Sequence, residues 1–299
     1  MRAAVFGGSG FLGSHLADAL SEAGHEVVIF DKVASPYRRP GQDMAVGDIL
    51  DADAVDAALE DCQVAYNLAG IADLDDCLTK PASTVTLNVL GNVRVMDGCV
   101  RRGVGRFVHA STIYVNSAKG GFYRCSKQAA ETYVEEYHQH YGLEYRILRY
   151  GTLYGPRADA RNSIYRYLRQ ALDGGDIVVG ASGEEKREYI YVADAARLSV
   201  EALDPQYANA RLNITGHQQM RFLDLLELIQ EMFGGKVTIT LTEARNPAHY
   251  TSTPYSFQRK PCHKLTSPCF VDLGQGLLEC VNDMLGRAES GDDVPQAAP

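Results

Sequence analysis

The first twenty residues limit the fold more than any other stretch. Ala3-Ala4-Val5-Phe6 is a short apolar run suited to a strand buried on both faces. Phe11, Leu12, His15, Leu16, Ala19 and Leu20 then recur at helical spacing, and Gly7, Gly10 and Gly13 fall in the turn between. Such a turn is a phosphate cradle. Gly7 permits the tight bend, Gly10 lets a pyrophosphate approach the backbone, and Gly13 lets the helix pack on the strand with its free N–H groups facing the phosphates. The spacing is Gly-x-x-Gly-x-x-Gly rather than Gly-x-Gly-x-x-Gly. Turns recruit glycine in any case, so the pattern takes its weight from its place between strand and helix. Asp31 ends the next apolar run, Val27-Val28-Ile29-Phe30. A carboxylate there accepts both ribose hydroxyls of an adenosine and repels a 2′-phosphate, which points to NAD rather than NADP. The plainer alternative is a glycine turn followed by a surface aspartate.

Further apolar runs at Met44–Val46, Val64–Leu68, Phe107–Ala110 and Tyr145–Arg149 alternate with helical patterns at 51–60, Pro81–Arg102 and Phe122–Tyr141. That rhythm predicts an α/β chain with a doubly wound parallel sheet (Rossmann), residues 1–150 forming the NAD-binding domain. From Gly151 the pieces shorten. They are expected to form a smaller C-terminal substrate-binding lobe over 151–286, interleaved with the first domain and closing a cleft at the sheet's C-terminal edge. Residues 287–299 are polar and small, hence a loose tail. Asp48, before Ile49, suits either the adenine amino group or the cap of the next helix. Leu68, Ala69 and Gly70 close the fourth strand, where small residues leave room for a cofactor. Asn88 sits in a long helix as a partner for a nearby strand or loop, or as a plain interior asparagine.

A net charge of −9 gives no footing for nucleic acid or an anionic membrane. No run is long enough to span a bilayer and no signal peptide precedes the first strand, so the chain is expected to be cytoplasmic. The seven cysteines are odd in number and scattered, which suits reduced, mostly buried thiols. Cys262-His263 and Cys269 match no zinc spacing, and no metal site is expected.

Tyr123 and Lys127 lie four apart on the second long helix and so share a face, and Thr112 lies just past the preceding strand. A phenol with a reference pKa near ~10 is a poor base at neutral pH. A nearby ammonium favours the phenolate, as does the positive nicotinamide ring, and the phenolate then takes a proton from an alcohol as hydride leaves the same carbon for NAD. Thr112 would hold that alcohol. With seventeen tyrosines, Tyr-x-x-x-Lys alone is weak; its conjunction with Thr112 and the glycine turn gives it force.

These motifs resemble the extended short-chain dehydrogenase/reductases, specifically the NAD-dependent sugar-nucleotide epimerase/dehydratase family. The resemblance spans about residues 1–245. It rests on Gly7-Gly8-Ser9-Gly10-Phe11-Leu12-Gly13, Asp31, Gly47-Asp48, Asn67-Leu68-Ala69-Gly70, Asn88-Val89-Leu90-Gly91, Ser111-Thr112, Tyr123-Arg-Cys-Ser-Lys127, Leu148-Arg149-Tyr150, Leu153-Tyr154-Gly155-Pro156-Arg157 and Arg187 to Asp194. It implies Thr112, Tyr123 and Lys127 as catalytic residues. It places NAD against Gly7, Gly10, Phe11, Leu12, Gly13, Asp31, Asp48, Ile49, Leu68, Ala69, Gly70 and Asn88, with Tyr123 and Lys127 gripping the nicotinamide ribose. It implies a nucleotide-diphosphate sugar as substrate, Arg187 on its diphosphate, and a homodimer paired through the long helices near 85–101 and 124–140. The bland role for Arg187 is an ion pair with Glu184, Glu185 or Glu188.

Departures from the family narrow the reaction. Its 4,6-dehydratases carry Asp-Glu directly after the catalytic Thr; here Ile113 and Tyr114 stand there and cannot act as acid and base for elimination. The Glu that related decarboxylases need nearby is absent too. Oxidation at C4 remains, most simply as a 4-epimerase, with a 4-dehydrogenase releasing a keto sugar as the alternative and an NAD-binding sensor as the non-enzyme reading. The stretch from Thr112 to Tyr123 spans only eleven positions, Val115-Asn116 replaces Val-Tyr-Gly, and Thr152 stands where many relatives have Asn. The segment from His249 to Leu278 departs from the common pattern. It contributes to the substrate pocket through His249, Tyr250 and Tyr255, or else simply packs the lobe.

Overall fold

Ala3, Ala4, Val5 and Phe6 lose all solvent exposure on folding. Strands this apolar need cover on both faces, which parallel sheets provide. The computed structural model describes residues 1–242, 249–254, 263–266 and 269–290. In chain order the elements begin with β1 (Arg2–Phe6), α1 (Phe11–Glu22), β2 (Glu26–Asp31), β3 (Gln42–Val46), α2 (Ala52–Ala58), β4 (Val64–Asn67), α3 (Leu74–Thr79), α4 (Pro81–Val85), α5 (Gly91–Arg102), β5 (Arg106–Thr112), α6 (Gly121–Tyr141) and β6 (Glu144–Tyr150). They continue with β7 (Thr152–Tyr154), α7 (Ser163–Leu172), β8 (Ile177–Val179), β9 (Lys186–Tyr191), α8 (Val192–Glu201), β10 (Ala210–Ile214), β11 (Gln219–Arg221), α9 (Phe222–Met232), β12 (Ile239–Leu241), β13 (His263–Lys264) and α10 (Leu273–Ser290).

The chain divides into two units. The first comprises residues 1–150, 195–214 and 254–265. It holds an eight-stranded sheet in the order β13-β10-β6-β5-β4-β1-β2-β3, parallel throughout. This is the doubly wound α/β arrangement expected. Phe6, Phe30, Val55, Leu59, Val95, Met96 and Phe107 form one of its cores. The strand order turns back at β1, which lies between β2 and β4; ligands in such sheets bind at the carboxyl ends of the strands flanking that point.

The second unit comprises 151–194, 215–253 and 266–299. Its strands form a three-stranded sheet, β11-β9-β7, and a pair, β12-β8. Tyr154, Leu168, Tyr191, Leu225, Leu226 and Leu277 are in its core. Helix α10 runs to Ser290, past residue 286 where the sequence places the tail's start; residues 291–299 lie outside the described set.

The run from Pro81 to Arg102, expected as one helix, is broken by a wide π-helical turn at Thr86–Leu90. Asn88 lies at its centre. Its Oδ1 accepts from Ile71 N at 2.7 Å, and its Nδ2 donates to Ile71 O at 2.9 Å and Ser126 Oγ at 3.0 Å. Wide turns of this kind recur where a side chain must be re-aimed near a functional site.

Candidate active site

The glycine turn stands at the end of β1, against the end of β4. Gly7 N donates to Phe30 O at 2.8 Å, and a Cβ on Gly7 would lie 2.7 Å from Ala69 N. A Cβ on Gly13 would collide with Gly7 O, so the helix and the turn meet backbone to backbone. Gly10 differs: only Gly7 O, at 3.3 Å, lies near its vacant Cβ position. Its backbone is thus open to a ligand. Phe11 and Leu12 open α1, half-buried, and no side chain caps that helix start. Asp31 is held at the same turn, its carboxylate accepting from Ser9 N at 3.0 Å and Lys32 N at 2.7 Å. This donor-and-acceptor set fits a dinucleotide: close-approach glycines for the pyrophosphate and a carboxylate for the ribose.

Asp48 accepts from Leu50 N at 2.9 Å and pairs with Lys32 at 3.2 Å. These two partners, the backbone bond foremost, hold its carboxyl below the usual range. The Ile49 side chain is buried in the core, leaving only its backbone for a ligand. Leu68 N donates to Phe6 O, Ala69 N to Asn67 Oδ1, and Gly70 adopts a φ of 149° where Asn88 Oδ1 fills the space of a side chain.

Helix α6 presents Tyr123 and Lys127 one turn apart beside the end of β5. Lys127 Nζ donates to Ala110 O at 2.8 Å and lies 6.0 Å from the centre of the Tyr123 ring. Burial pushes the Tyr123 phenol up to about 12, and a hydrogen bond with the Thr112 side chain pulls the other way. Burial brings Lys127 down to about 8, opposed by Cys77 and Glu131. The sequence argument had the ammonium acidify the phenol. In the chain by itself burial outweighs any such effect, because taking either group from water disfavours its charged form.

Two polar networks escaped sequence reasoning. Glu131, one turn beyond Lys127, accepts from Ser111 Oγ at 2.5 Å and from Arg149 Nε and Nη2 at 2.9 and 2.6 Å. The helical spacing of Tyr123, Lys127 and Glu131 was the available signal. Beneath β4 and β5, Asn92 Oδ1 meets Asn67 Nδ2 at 2.8 Å and His109 Nδ1 at 2.9 Å, and burial holds His109 neutral.

In the second unit, the Arg187 guanidinium lies 5.6 Å from the Phe222 ring centre and 5.8 Å from that of Tyr250. Thr152 Oγ1 stands 3.4 Å from Tyr250 Oη. Arg187, Thr152 and Tyr250 therefore gather in one place. His249 is half-buried, and Tyr255 lies outside the described residues. Among the described residues no helix is long and apolar enough to cross a membrane.

Residues 3–215 match the model of the NAD dependent epimerase/dehydratase family. The chain belongs to that family. It is accordingly an NAD-dependent sugar-nucleotide enzyme, with NAD its cofactor. A putative UDP-glucose 4-epimerase of Methanocaldococcus jannaschii is 25% identical over 94% of this chain and 97% of its own length. A dTDP-glucose 4,6-dehydratase of Streptomyces antibioticus is 29% identical over 78% of each. UDP-glucuronic acid decarboxylase 1 of Xenopus tropicalis is also similar, 27% identical over 82% of this chain and 63% of its own length. In fold, the chain resembles UDP-glucose 4-epimerase of Thermotoga maritima, crystallised with UDP-glucose, at a TM-score of 0.84 and 24% identity, covering 96% of this chain and 100% of that one.

Proposed function

We propose that this enzyme oxidises C4 of a nucleotide-activated sugar and returns the hydride to the other face, as a sugar-nucleotide 4-epimerase. One observation carries the reading. Thr112, Tyr123 and Lys127 converge in the first unit, while the two positions after Thr112 hold Ile113, whose side chain is buried, and Tyr114. A site with a Tyr-Lys pair for proton transfer and no carboxylate at either of those two positions favours epimerisation over the dehydratase and decarboxylase chemistry of other relatives. Thr112 holds the C4 hydroxyl, and Tyr123 would take its proton once the positive ring of bound NAD adds to the Lys127 ammonium in favouring the phenolate over the neutral phenol of the chain by itself. Lys127, an ammonium below about pH 8, orients the ribose and steadies the charge that develops on the phenol. NAD, when bound, supplies the hydride acceptor.

Gly7, Gly10, Phe11, Leu12 and Gly13 would carry the pyrophosphate, Asp31 the adenosine ribose and Asp48 the adenine. Asn88 acts on this site through Ile71 and Ser126. Arg187, flanked by two aromatic faces, suits the substrate's diphosphate, with Thr152 and His249 on the same unit. The alternative product is the free 4-keto sugar. Nothing among Thr112, Tyr123 and Lys127 distinguishes release from return, so the product decides. Incubation with UDP-, GDP-, CDP- and dTDP-glucose is expected to form the C4 stereoisomer of at least one without net NADH. A keto product with rising absorbance at the NADH band would establish the dehydrogenase instead.

The apolar residues Val85, Leu90, Val100 and Tyr133 are exposed along the stretches 85–101 and 124–140. Exposed apolar rows of this kind support a homodimer through these helices.

A further inference from the structure

The turn that follows Thr112 is held from α6 at several points. Lys127 donates to Ala110 O at 2.8 Å, before Thr112, and Gln128 Nε2 donates to Val115 O at 2.9 Å, after it. Glu131 accepts from Ser111 Oγ at 2.5 Å. Arg149, on β6, donates Nε and Nη2 to the same carboxylate and Nη1 to Asn116 Oδ1 at 3.2 Å. Glu131 and Arg149 are thus tied to residues on both sides of Thr112. Both are buried, at 6% and 4% exposure. Arg211 approaches Glu131 at 4.0 Å and pairs with Glu135, a turn further along α6.

A buried ion pair of this kind is seldom a net source of stability, since well-packed apolar side chains of similar volume serve as well or better. What it supplies is direction. A carboxylate with fork-shaped partners fixes its neighbours far more narrowly than an apolar contact does. Here the neighbours flank a hydroxyl whose hydrogen bond with Tyr123 counts toward that phenol's acidity.

We propose that the Glu131–Arg149 pair is a positioning device for Thr112, gripping Ser111 on one side and Asn116 on the other so that the Thr112 hydroxyl stays on the Tyr123 phenol. This rests on the reading of Thr112 and Tyr123 as catalytic. In this reading Glu131 and Arg149 act through the turn, by way of Ser111 and Asn116. Asn116 is the part of the grip that marks this chain, since it stands where the Val-Tyr-Gly pattern places another residue.

The test removes the grip while leaving the buried pair intact. The double variant Ser111→Ala, Asn116→Ala is compared with wild type on whichever of UDP-, GDP-, CDP- and dTDP-glucose wild type converts fastest. The expected result is a kcat lowered roughly 10- to 100-fold with KM within about threefold, as befits a misplacement near 1 Å. Asn116→Asp, which keeps the acceptor, should restore most of the loss seen in Asn116→Ala alone. In crystals of the NAD-loaded double variant, Thr112 Oγ should have moved off the phenol. A kcat within twofold of wild type, or a Thr112 that superimposes on wild type, would overturn the proposal. So would a parallel change in kcat, KM and melting temperature without rescue by Asp, which marks a merely structural role. Should wild type convert none of the four, the crystal comparison alone decides whether the grip places Thr112.

Discussion

Tyr123 and Lys127 shift in opposite directions for one reason: the same burial disfavours the charged form of each. At pH 7 the chain therefore holds a neutral phenol beside an ammonium. The linkage signs follow. Lys127 titrates near 8 when folded and near ~10.4 when unfolded, so between those values the unfolded chain binds more protons and stability rises with pH. Tyr123 titrates near 12 when folded against ~10 unfolded, so above ~10 its contribution to stability falls as pH rises. Melting curves should accordingly show wild type gaining on Lys127→Met between pH 8 and pH 10, by at most about 1 kcal/mol per pH unit. A constant gap across that window would mean that Lys127 is not desolvated. Tyr123→Phe removes the proton acceptor and leaves the ring. On the proposed role it should lower turnover by roughly 10²- to 10⁴-fold while NAD still copurifies, and turnover unchanged would take Tyr123 out of that role.

The glycine turn and the broken helix show what an element's sequence does and does not reveal. At the turn, Gly13 and Gly10 serve different ends. Gly13→Ala should destabilise the fold by several kcal/mol, about the cost of overpacking a tight backbone contact, because its Cβ would strike Gly7 O. Gly10→Ala should lower the melting temperature far less than Gly13→Ala, since its Cβ meets only Gly7 O at 3.3 Å, yet weaken NAD binding; calorimetry and thermal melts separate the two. Strands β1, β2, β4, β5 and β6 were legible because parallel strands buried on both faces read as continuous apolar runs. Strands β7, β11 and β12 were not, since each is three residues of mixed polarity with no continuous apolar run. The π-helical turn was illegible for a different reason. It is set by Asn88 bonding Ile71 and Ser126, residues far off in sequence, and local propensity does not encode such a partner. Of the site, Tyr123, Lys127 and Thr112 were legible from spacing, and Glu131 could have been, lying on the same helical face. Spacing reports neighbours but not the loss of water that keeps the phenol neutral in the chain by itself.

At the scale of the whole molecule, the chain has a first unit whose helix α6 carries Tyr123 and Lys127 beside an eight-stranded parallel sheet, and a second unit in which Arg187, Thr152 and Tyr250 gather. If the stretches 85–101 and 124–140 pair between copies, Leu90→Asp with Tyr133→Asp should halve the mass read by light scattering, and an unchanged mass would place the contact elsewhere. The most direct test of the proposed chemistry follows one atom. A glucose nucleotide bearing deuterium at C4 is incubated with the NAD-loaded enzyme in ordinary water, and the product is read by NMR and mass spectrometry. The account predicts inversion at C4 with the deuterium still on that carbon. Inversion with the deuterium lost to water while NAD is bound would contradict it.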